Sequence, residues 1–208
     1  MFEGSSYPED IMNRENGYDS LLYTDEIFKA FVDAIIPRTP ALAEEYGRIQ
    51  YYGALDLYTD EYLIYMLNYG TVPMAEAAAR MLEIATEYFF SAEMQDVVNT
   101  SEVMELSDFG ALSRLDRLRV VSFLENSGSV IPELPSPFTG DQYAIASVTN
   151  SLNGLAMLGY YSEWSGYGST RLLSPNQWVM EYFPVSWEQV GYPGPSLGYR
   201  ALRSNNSQ

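Results

Sequence analysis

Hydrophobic residues recur every three or four positions along most of the chain, which predicts α-helices separated by turn-forming residues. The clearest stretch covers residues 75–92, where the apolar stripe consists of Met74, Ala78, Met81, Leu82, Ala85 and Phe89. No segment alternates strongly between apolar and polar residues, and no internal repeat is present. The pattern therefore predicts an all-α protein, folded as a single-domain helical bundle.

Capping residues, glycines and prolines set the expected helix ends. Thr24 is expected to cap a helix over 25–36, which Pro37 stops, and further helices are expected over 40–58, 59–70, 75–92 and, after a cap at Ser113, into the 120s. Thr139 or Gly140 then opens a long helix that runs to about Tyr161. The helix after Ser113 and the helix that ends near Tyr161 are expected to bury Leu115, Leu118, Val121, Phe123, Leu124, Ile145, Val148, Leu152, Leu155 and Met157, and Pro175 and Trp178 are expected to begin one more short helix.

Three regions follow from this pattern. Residues 1–23 are expected to form an irregular N-terminal arm, because turn formers surround Asn16-Gly17 and periodicity is weak. Residues 24–163 form the helical domain, and the proline-rich stretch 127–138 is a linker inside it, since neither flank alone offers a complete core. Residues 164–208 are expected to form an ordered irregular tail, rich in glycine, proline and aromatic residues, that packs on the domain or on a partner.

Composition removes several kinds of chemistry. The chain contains no cysteine and no histidine, so it cannot form a disulfide, a thiolate site, an iron–sulfur cluster, a His-ligated haem or a nucleophile–imidazole pair. No Gly-rich phosphate loop and no calcium-binding Asp-x-Asp-x-Asp loop occurs. We therefore predict no catalytic residue, no metal site and no cofactor on this chain. An independent carboxylate enzyme such as a glycosidase needs two facing carboxylates, and no pair stands out.

The charge balance restricts the partners. The chain carries 28 acidic and 11 basic residues, for a net charge of −17, which opposes binding to nucleic acid or anionic lipid. Three of the basic residues, Arg114, Arg117 and Arg119, fall on one helix; solvated charges are the commoner outcome for such a cluster, and pairing with an internal carboxylate or an acidic partner is the alternative. The 18 tyrosines favour a protein interface or, alternatively, a tyrosine-rich core.

Two features bear on location. No run of about 18 uninterrupted apolar residues is present, so we expect no transmembrane helix. The first ten residues lack the basic region and apolar run of a secretory signal, and they lack a twin-arginine pair. We expect a cytoplasmic protein, or one exported without a cleavable signal of its own.

The segment from Trp187 to Tyr199 combines aromatic residues, glycines and prolines too closely for a regular helix or strand. Proline fixes φ and glycine reaches angles closed to other residues, so Tyr192-Pro193-Gly194-Pro195 is expected to be a tight, stiff turn. The turn would hold Trp187, Tyr192 and Tyr199 against a surface. That surface is either a partner or the domain's own core.

This segment resembles the end of the gluconate 2-dehydrogenase subunit 3 family, whose members accompany flavin dehydrogenases. Phe31-Val32-Asp33-Ala34-Ile35-Ile36-Pro37-Arg38-Thr39 is similar to the family's opening helix, and Gly159-Tyr160-Tyr161-Ser162 followed by Gly166-Tyr167-Gly168 is similar to its Gly-rich stretch. The resemblance spans residues 25 to about 200. A departure is the missing export signal, which many relatives carry for the whole complex.

The resemblance implies a noncatalytic small subunit or maturation partner of a flavin-dependent sugar or sugar-acid dehydrogenase. The tail would then pack against the large flavoprotein subunit. The candidate interface residues are Trp187, Tyr192, Pro193, Gly194, Tyr199, Tyr160, Tyr161 and Tyr167. The alternative is a self-associating structural or surface protein that binds copies of itself, which the acidity and the Tyr-rich arm also suit.

Overall fold

Seven α-helices make up most of the regular structure in the computed structural model, which describes residues 8–93 and 109–194. They are α1 (Pro8–Ile35), α2 (Ala43–Tyr46), α3 (Thr59–Asn68), α4 (Ala75–Glu93), α5 (Arg114–Ser127), α6 (Gln142–Tyr161) and α7 (Val185–Gln189). No strand occurs in these two ranges, so the all-α prediction is confirmed. None of the described helices is long and apolar enough to cross a lipid bilayer.

The core forms around α1, which packs against α3, α4 and α5. Phe28 and Phe31 on α1 are fully or almost fully buried, at 0% and 1% exposure. Four alanines lie on the buried side of α4, which lets the backbones of neighbouring helices approach closely: Ala75, Ala78, Ala79 and Ala85. Helix α6 closes the other side against α3 and α5 with Ile145, Leu152 and Ala156, all at 0% exposure. One apolar core therefore serves all the long helices.

The expected irregular arm needs correction, because α1 begins at Pro8 and not at residue 25. Thr24 lies inside the helix with 4% exposure, so it packs and does not mark a helix start. Gly17 lies inside this helix. A glycine in a helix interior lowers helix stability by only about 1 kcal/mol relative to alanine, and the helix continues through it here. Proline in the first turn of the helix is compatible with this start. The arm's residues 1–7 lie outside the described residues.

The helix expected over 40–58 is also wrong. The segment consists of 3₁₀ turns Pro40–Leu42, Arg48–Tyr51 and Ala54–Leu57, with α2 between the first two. Gly47 has a φ of +91°, which ends α2. A Cβ on Gly53 would lie 2.8 Å from the backbone nitrogen of Arg38, so only glycine permits the chain to fold over the end of α1 at this point.

The later boundaries agree well with expectation. Helix α3 starts at Thr59, α4 covers the predicted 75–92, and α6 ends at Tyr161. Ser113 caps α5 by accepting a hydrogen bond from the backbone N–H of Asp116 (3.2 Å). The cap of α6 is Asp141, one or two residues later than expected, because its side chain accepts from the N–H of Ala144 (3.0 Å).

Some predicted core positions are exposed, and one predicted surface arginine is not. Leu115 and Met157 are 58% and 43% exposed, since α5 and α6 are rotated to bury other residues. The side chain of Arg117 is only 12% exposed and donates to the backbone oxygens of Ala30 (3.0 Å), Phe109 (3.2 Å) and Gly110 (2.6 Å). Arg114 and Arg117 both pair with Asp33, whose pKa the Arg114 hydrogen bond lowers most. The internal-carboxylate alternative therefore holds for these two arginines.

Candidate partner-binding site at the carboxyl-terminal platform

Residues 162–194 form a layer, which we call the platform, over α3, the end of α6 and the turn Arg48–Tyr51. It contains the 3₁₀ segments Trp164–Thr170 and Pro175–Gln177 and the short helix α7. The expected irregular tail is thus a set of short helical turns. The platform carries most of the candidate interface residues. Its attachment to the helices therefore decides which of their side chains are accessible to a partner.

Trp164 anchors the start of the platform to α3. Its ring is 2% exposed, and its indole N–H donates to the backbone oxygen of Tyr58 (2.8 Å). The edge of Tyr62 meets this ring at a centroid distance of 5.3 Å, and Trp178 meets it at 5.8 Å. Offset and edge-on aromatic contacts of this kind add about 0.5–1.5 kcal/mol each beyond area burial. Trp164 therefore holds two separate parts of the platform together and against the domain.

The Gly166-Tyr167-Gly168 motif lies where two parts of the platform cross. Gly166 O accepts the backbone N–H groups of Glu181 (2.8 Å) and Tyr182 (2.9 Å). A Cβ on Gly166 would lie 2.8 Å from the backbone oxygen of Tyr182, and Gly168 has a φ of +52°. Both glycines are needed because one position requires close approach and the other requires a left-handed angle.

A cleft of about 460 Å³ opens beside this crossing. Arg171 at its wall pairs with Glu61 (2.6 and 2.8 Å) and stacks on the ring of Tyr58, 3.7 Å from the centroid. Glu181 accepts from the N–H (2.8 Å) and the hydroxyl (2.5 Å) of Ser169, and these bonds lower the pKa of its carboxyl. Arg171 and Glu181 thus have partners within the chain, and the ion pair of Arg171 and the hydrogen bonds of Glu181 hold separate segments of the chain together. The residues described include no group of three or more carboxylates placed to hold a metal.

Helix α7 is tied to the helical domain by three side-chain contacts: Ser186 Oγ to Tyr161 O (3.0 Å), Gln189 Nε2 to Tyr46 O (2.8 Å) and Arg48 Nη1 to Glu188 Oε1 (3.1 Å). The ion pair is exposed on both sides and contributes little. Ser186 is 6% exposed, so its hydrogen bond is the best shielded of the three. These contacts fix the position of α7 relative to α2 and α6.

Three aromatic side chains gather on the outer side of α7, and we call Phe183, Trp187 and Tyr192 the outer aromatic cluster. The ring centroid of Trp187 lies 5.7 Å from that of Phe183 and 4.9 Å from that of Tyr192. The backbone N–H of Tyr192 donates to Trp187 O (2.9 Å), and Pro193 and Gly194, the latter at a φ of +94°, follow directly. Phe183 and Tyr192 are 53% and 41% exposed, and Trp187 is half-buried. Tyr192 therefore packs edge-on against Trp187, outside the core.

Tyr160 does not belong to an accessible surface, and the expectation that it contacts a partner needs correction. It is 4% exposed, and its hydroxyl donates to the backbone oxygens of Tyr52 (2.8 Å) and Ile49 (3.2 Å). Burial raises the pKa of its phenol to about 12. Tyr160 instead braces α6 against the 3₁₀ turn Arg48–Tyr51.

The other candidate tyrosines are placed differently. Tyr161 is 51% exposed at the end of α6, beside the attachment point of α7. Tyr167 is half-buried, with its ring 5.0 Å from that of Trp178, and burial raises the pKa of its phenol. Tyr199 lies outside the described residues. The structure thus brings Trp187, Tyr192, Pro193 and Gly194 together and leaves Tyr167 in a separate aromatic group around Trp164 and Trp178.

Sequence reasoning missed Phe183 as a member of the cluster. Its only local signal is the sequence Tyr182-Phe183-Pro184, where two aromatic residues precede a proline that cannot continue a helix from them. It missed the Arg171–Glu61 ion pair as well, because those residues are far apart in the chain and no local pattern links them.

Comparison with known proteins identifies no relative of this chain. No protein-family model matches the chain, and no curated protein or solved structure is significantly similar to it. The similarity to the gluconate 2-dehydrogenase subunit 3 family therefore rests on the short segments named above.

Proposed function

We propose that this chain is a noncatalytic accessory subunit that binds the large subunit of a flavin-dependent sugar or sugar-acid dehydrogenase through the outer aromatic cluster. The observation that carries the proposal is the position of Phe183, Trp187 and Tyr192: they lie outside the core, partly exposed, on a segment tied to the domain. The identity of the partner rests on the resemblance in the tail and Gly-rich segments.

The cluster has the properties of a binding anchor. Aromatic side chains bury a large area and lose few rotamers, and energetically important interface residues are enriched in tryptophan and tyrosine. Because Ser186 and Gln189 hold α7 in place, little further ordering is needed when a partner binds. A preformed aromatic patch of this kind suits a protein surface better than a small polar ligand.

An affinity capture from the native host tests this function. The tagged full-length chain should recover a flavoprotein, visible by its yellow absorbance, and the Trp187→Ala chain should recover much less of it. Tyr69→Ala is the matched control, because Tyr69 is a strongly exposed aromatic residue (69%) at the end of α3 and away from the cluster. We also expect the purified chain alone to oxidise no sugar with an artificial electron acceptor.

Three outcomes oppose the proposal. They are sugar oxidation by the isolated chain, capture without any flavoprotein, and equal recovery of the flavoprotein by the wild-type and Trp187→Ala chains. Capture of further copies of the chain alone would instead favour the self-associating alternative.

A further inference from the structure

Helix α6 is uncharged along its whole length, although the chain carries 28 acidic and 11 basic residues. Burial explains the absence of charge only on the side of α6 that faces the core. Its solvent-exposed side, which we call the outer face of α6, is also free of charge and consists of Tyr143, Ser147, Asn150, Gly154, Leu158 and Tyr161. At 100° per residue these positions fall within a narrow stripe, and at 1.5 Å per residue the stripe is about 27 Å long. Tyr143 and Leu158 are 84% and 54% exposed.

Gly154 in the middle of this face has no explanation among the residues that the structure describes. Its φ is not positive, and a Cβ built on it would meet nothing within 4 Å. Glycine in an exposed helix interior costs about 1 kcal/mol relative to alanine, so the fold itself favours a larger residue. Close approach of another helix is the remaining physical reason for glycine at such a position.

We infer that the outer face of α6 is a homodimer interface, in which α6 of one copy packs antiparallel against α6 of a second copy. A two-fold interface pairs one surface patch with the same patch of the second copy, and we centre the antiparallel pair at the level of Leu152. Antiparallel alignment then sets Tyr143 opposite Tyr161 of the second copy and Ser147 opposite Met157 of the second copy. The small Ser147 thus meets the large Met157, and Gly154 lies near the centre, where the helices are closest.

A shallow groove on the same face fits this alignment. It measures about 460 Å³ and is lined by Tyr143, Ala146, Ser147, Asn150 and Ser151. The symmetric partner positions carry Met157 and Leu158, which are 43% and 54% exposed and therefore free to enter it. Each copy would present both the groove and the side chains that fill it.

The absence of charge on this face permits a second copy as the occupant. Two chains of net charge −17 repel one another, and like charges placed in contact are strongly unfavourable. The outer face of α6 lets them touch without opposing charged groups. A single helix pair is small beside standard protein interfaces, so we expect a concentration-dependent dimer that is stronger in about 1 M salt, where the Debye length falls to about 3 Å.

The first test compares two serine substitutions in the full-length chain by sedimentation equilibrium in about 1 M salt. Ser151 and Ser91 are both exposed helical residues whose hydroxyls donate to the carbonyl four residues earlier, to Ser147 O (2.7 Å) and Glu87 O (2.8 Å). The wild type should reach twice its chain mass of 23.5 kDa. Ser151→Glu places two glutamates beside the two-fold axis and should raise the dissociation constant at least about tenfold, whereas Ser91→Glu should leave it unchanged.

A monomeric wild type, an unaffected Ser151→Glu dimer, or equal weakening by both substitutions would each overturn the assignment. Circular dichroism should show that both variants remain folded, since both serines face solvent. Trp187→Ala should leave the dimer intact, which separates this interface from the outer aromatic cluster.

The antiparallel register has its own test, because the chain has no cysteine. A mixture of Tyr143→Cys chains with Tyr161→Cys chains should cross-link efficiently through a short bismaleimide. Tyr143→Cys chains alone should not, since their thiols would be about 27 Å apart. If Tyr143→Cys chains alone cross-link in preference to the mixture, the two helices are parallel, which would contradict the antiparallel pairing.

Discussion

Replacing Trp164 with alanine should lower the free energy of unfolding by about 4 kcal/mol, the range found for buried aromatic truncations. The ring is 2% exposed, contacts Tyr62 and Trp178, and donates a hydrogen bond to Tyr58 O (2.8 Å). The substitution leaves a cavity, and it also leaves a carbonyl without its donor in a poorly hydrated place. Urea unfolding followed by circular dichroism measures the change.

Trp178→Ala is the comparison for this result. Trp178 is half-buried, and its indole N–H donates to Leu173 O (3.0 Å) within the platform itself. Its loss should therefore cost clearly less than the loss of Trp164. Equal effects, or a loss below about 1 kcal/mol for Trp164→Ala, would show that the platform is not joined to α3 as described.

Asp60→Asn should raise the free energy of unfolding at neutral pH, by up to about 3 kcal/mol. Asp60 lies in the first turn of α3 and is 4% exposed. Burial raises the pKa of its carboxyl to about 6, with smaller contributions from Glu61 and Asp25 in the same direction, while its own backbone N–H and Lys29 oppose the shift. The ionised form is thus disfavoured in the folded chain.

The pH dependence follows from the direction of this shift. The carboxyl of an unfolded aspartate has a pKa of about 3.9, so between roughly pH 4 and pH 6 the folded chain keeps a proton that the unfolded chain has lost. The contribution of Asp60 to stability is therefore full below pH 4 and is lost as the pH rises through 6. Asp60→Asn should flatten this decline, which urea unfolding at pH 4.5 and pH 7 will show.

Glu76→Gln provides the control for net charge. Glu76 is an exposed carboxylate in the first turn of α4, so its removal changes the total charge by the same amount without changing a buried group. It should leave the decline between pH 4 and pH 6 in place. If Asp60→Asn keeps the wild-type decline, another group is responsible for it.

Sequence reasoning succeeded where local physics decides the structure. Helix α4 was predictable because its residues are strong helix formers with one apolar stripe, and the start of α5 because Ser113 precedes it as a cap. The predicted turn Tyr192-Pro193-Gly194-Pro195 stays a prediction, because Pro195 lies outside the described residues, although Gly194 takes a left-handed φ of +94° that glycine permits.

It failed where distant residues decide. The segment over 40–58 has a helical pattern, but Gly53 must pass close to Arg38, and that contact is visible only in three dimensions. Tyr160 looked like an interface residue because its acceptors, the backbone oxygens of Ile49 and Tyr52, are more than a hundred residues away. Phe183 was not identified as part of the site for a different reason, since the short segment between it and Trp187 gives no periodic signal.

The central claim is that Trp187 and Tyr192 bind a partner and do not close the core. The most direct measurement is the affinity of the captured flavoprotein for the wild-type, Trp187→Ala and Tyr192→Ala chains, beside the urea unfolding of each. Each substitution should weaken association by about 2 kcal/mol or more, while the free energy of unfolding changes by less than about 1 kcal/mol. A loss of stability of about 3–5 kcal/mol, with normal association of the chains that remain folded, would contradict the account.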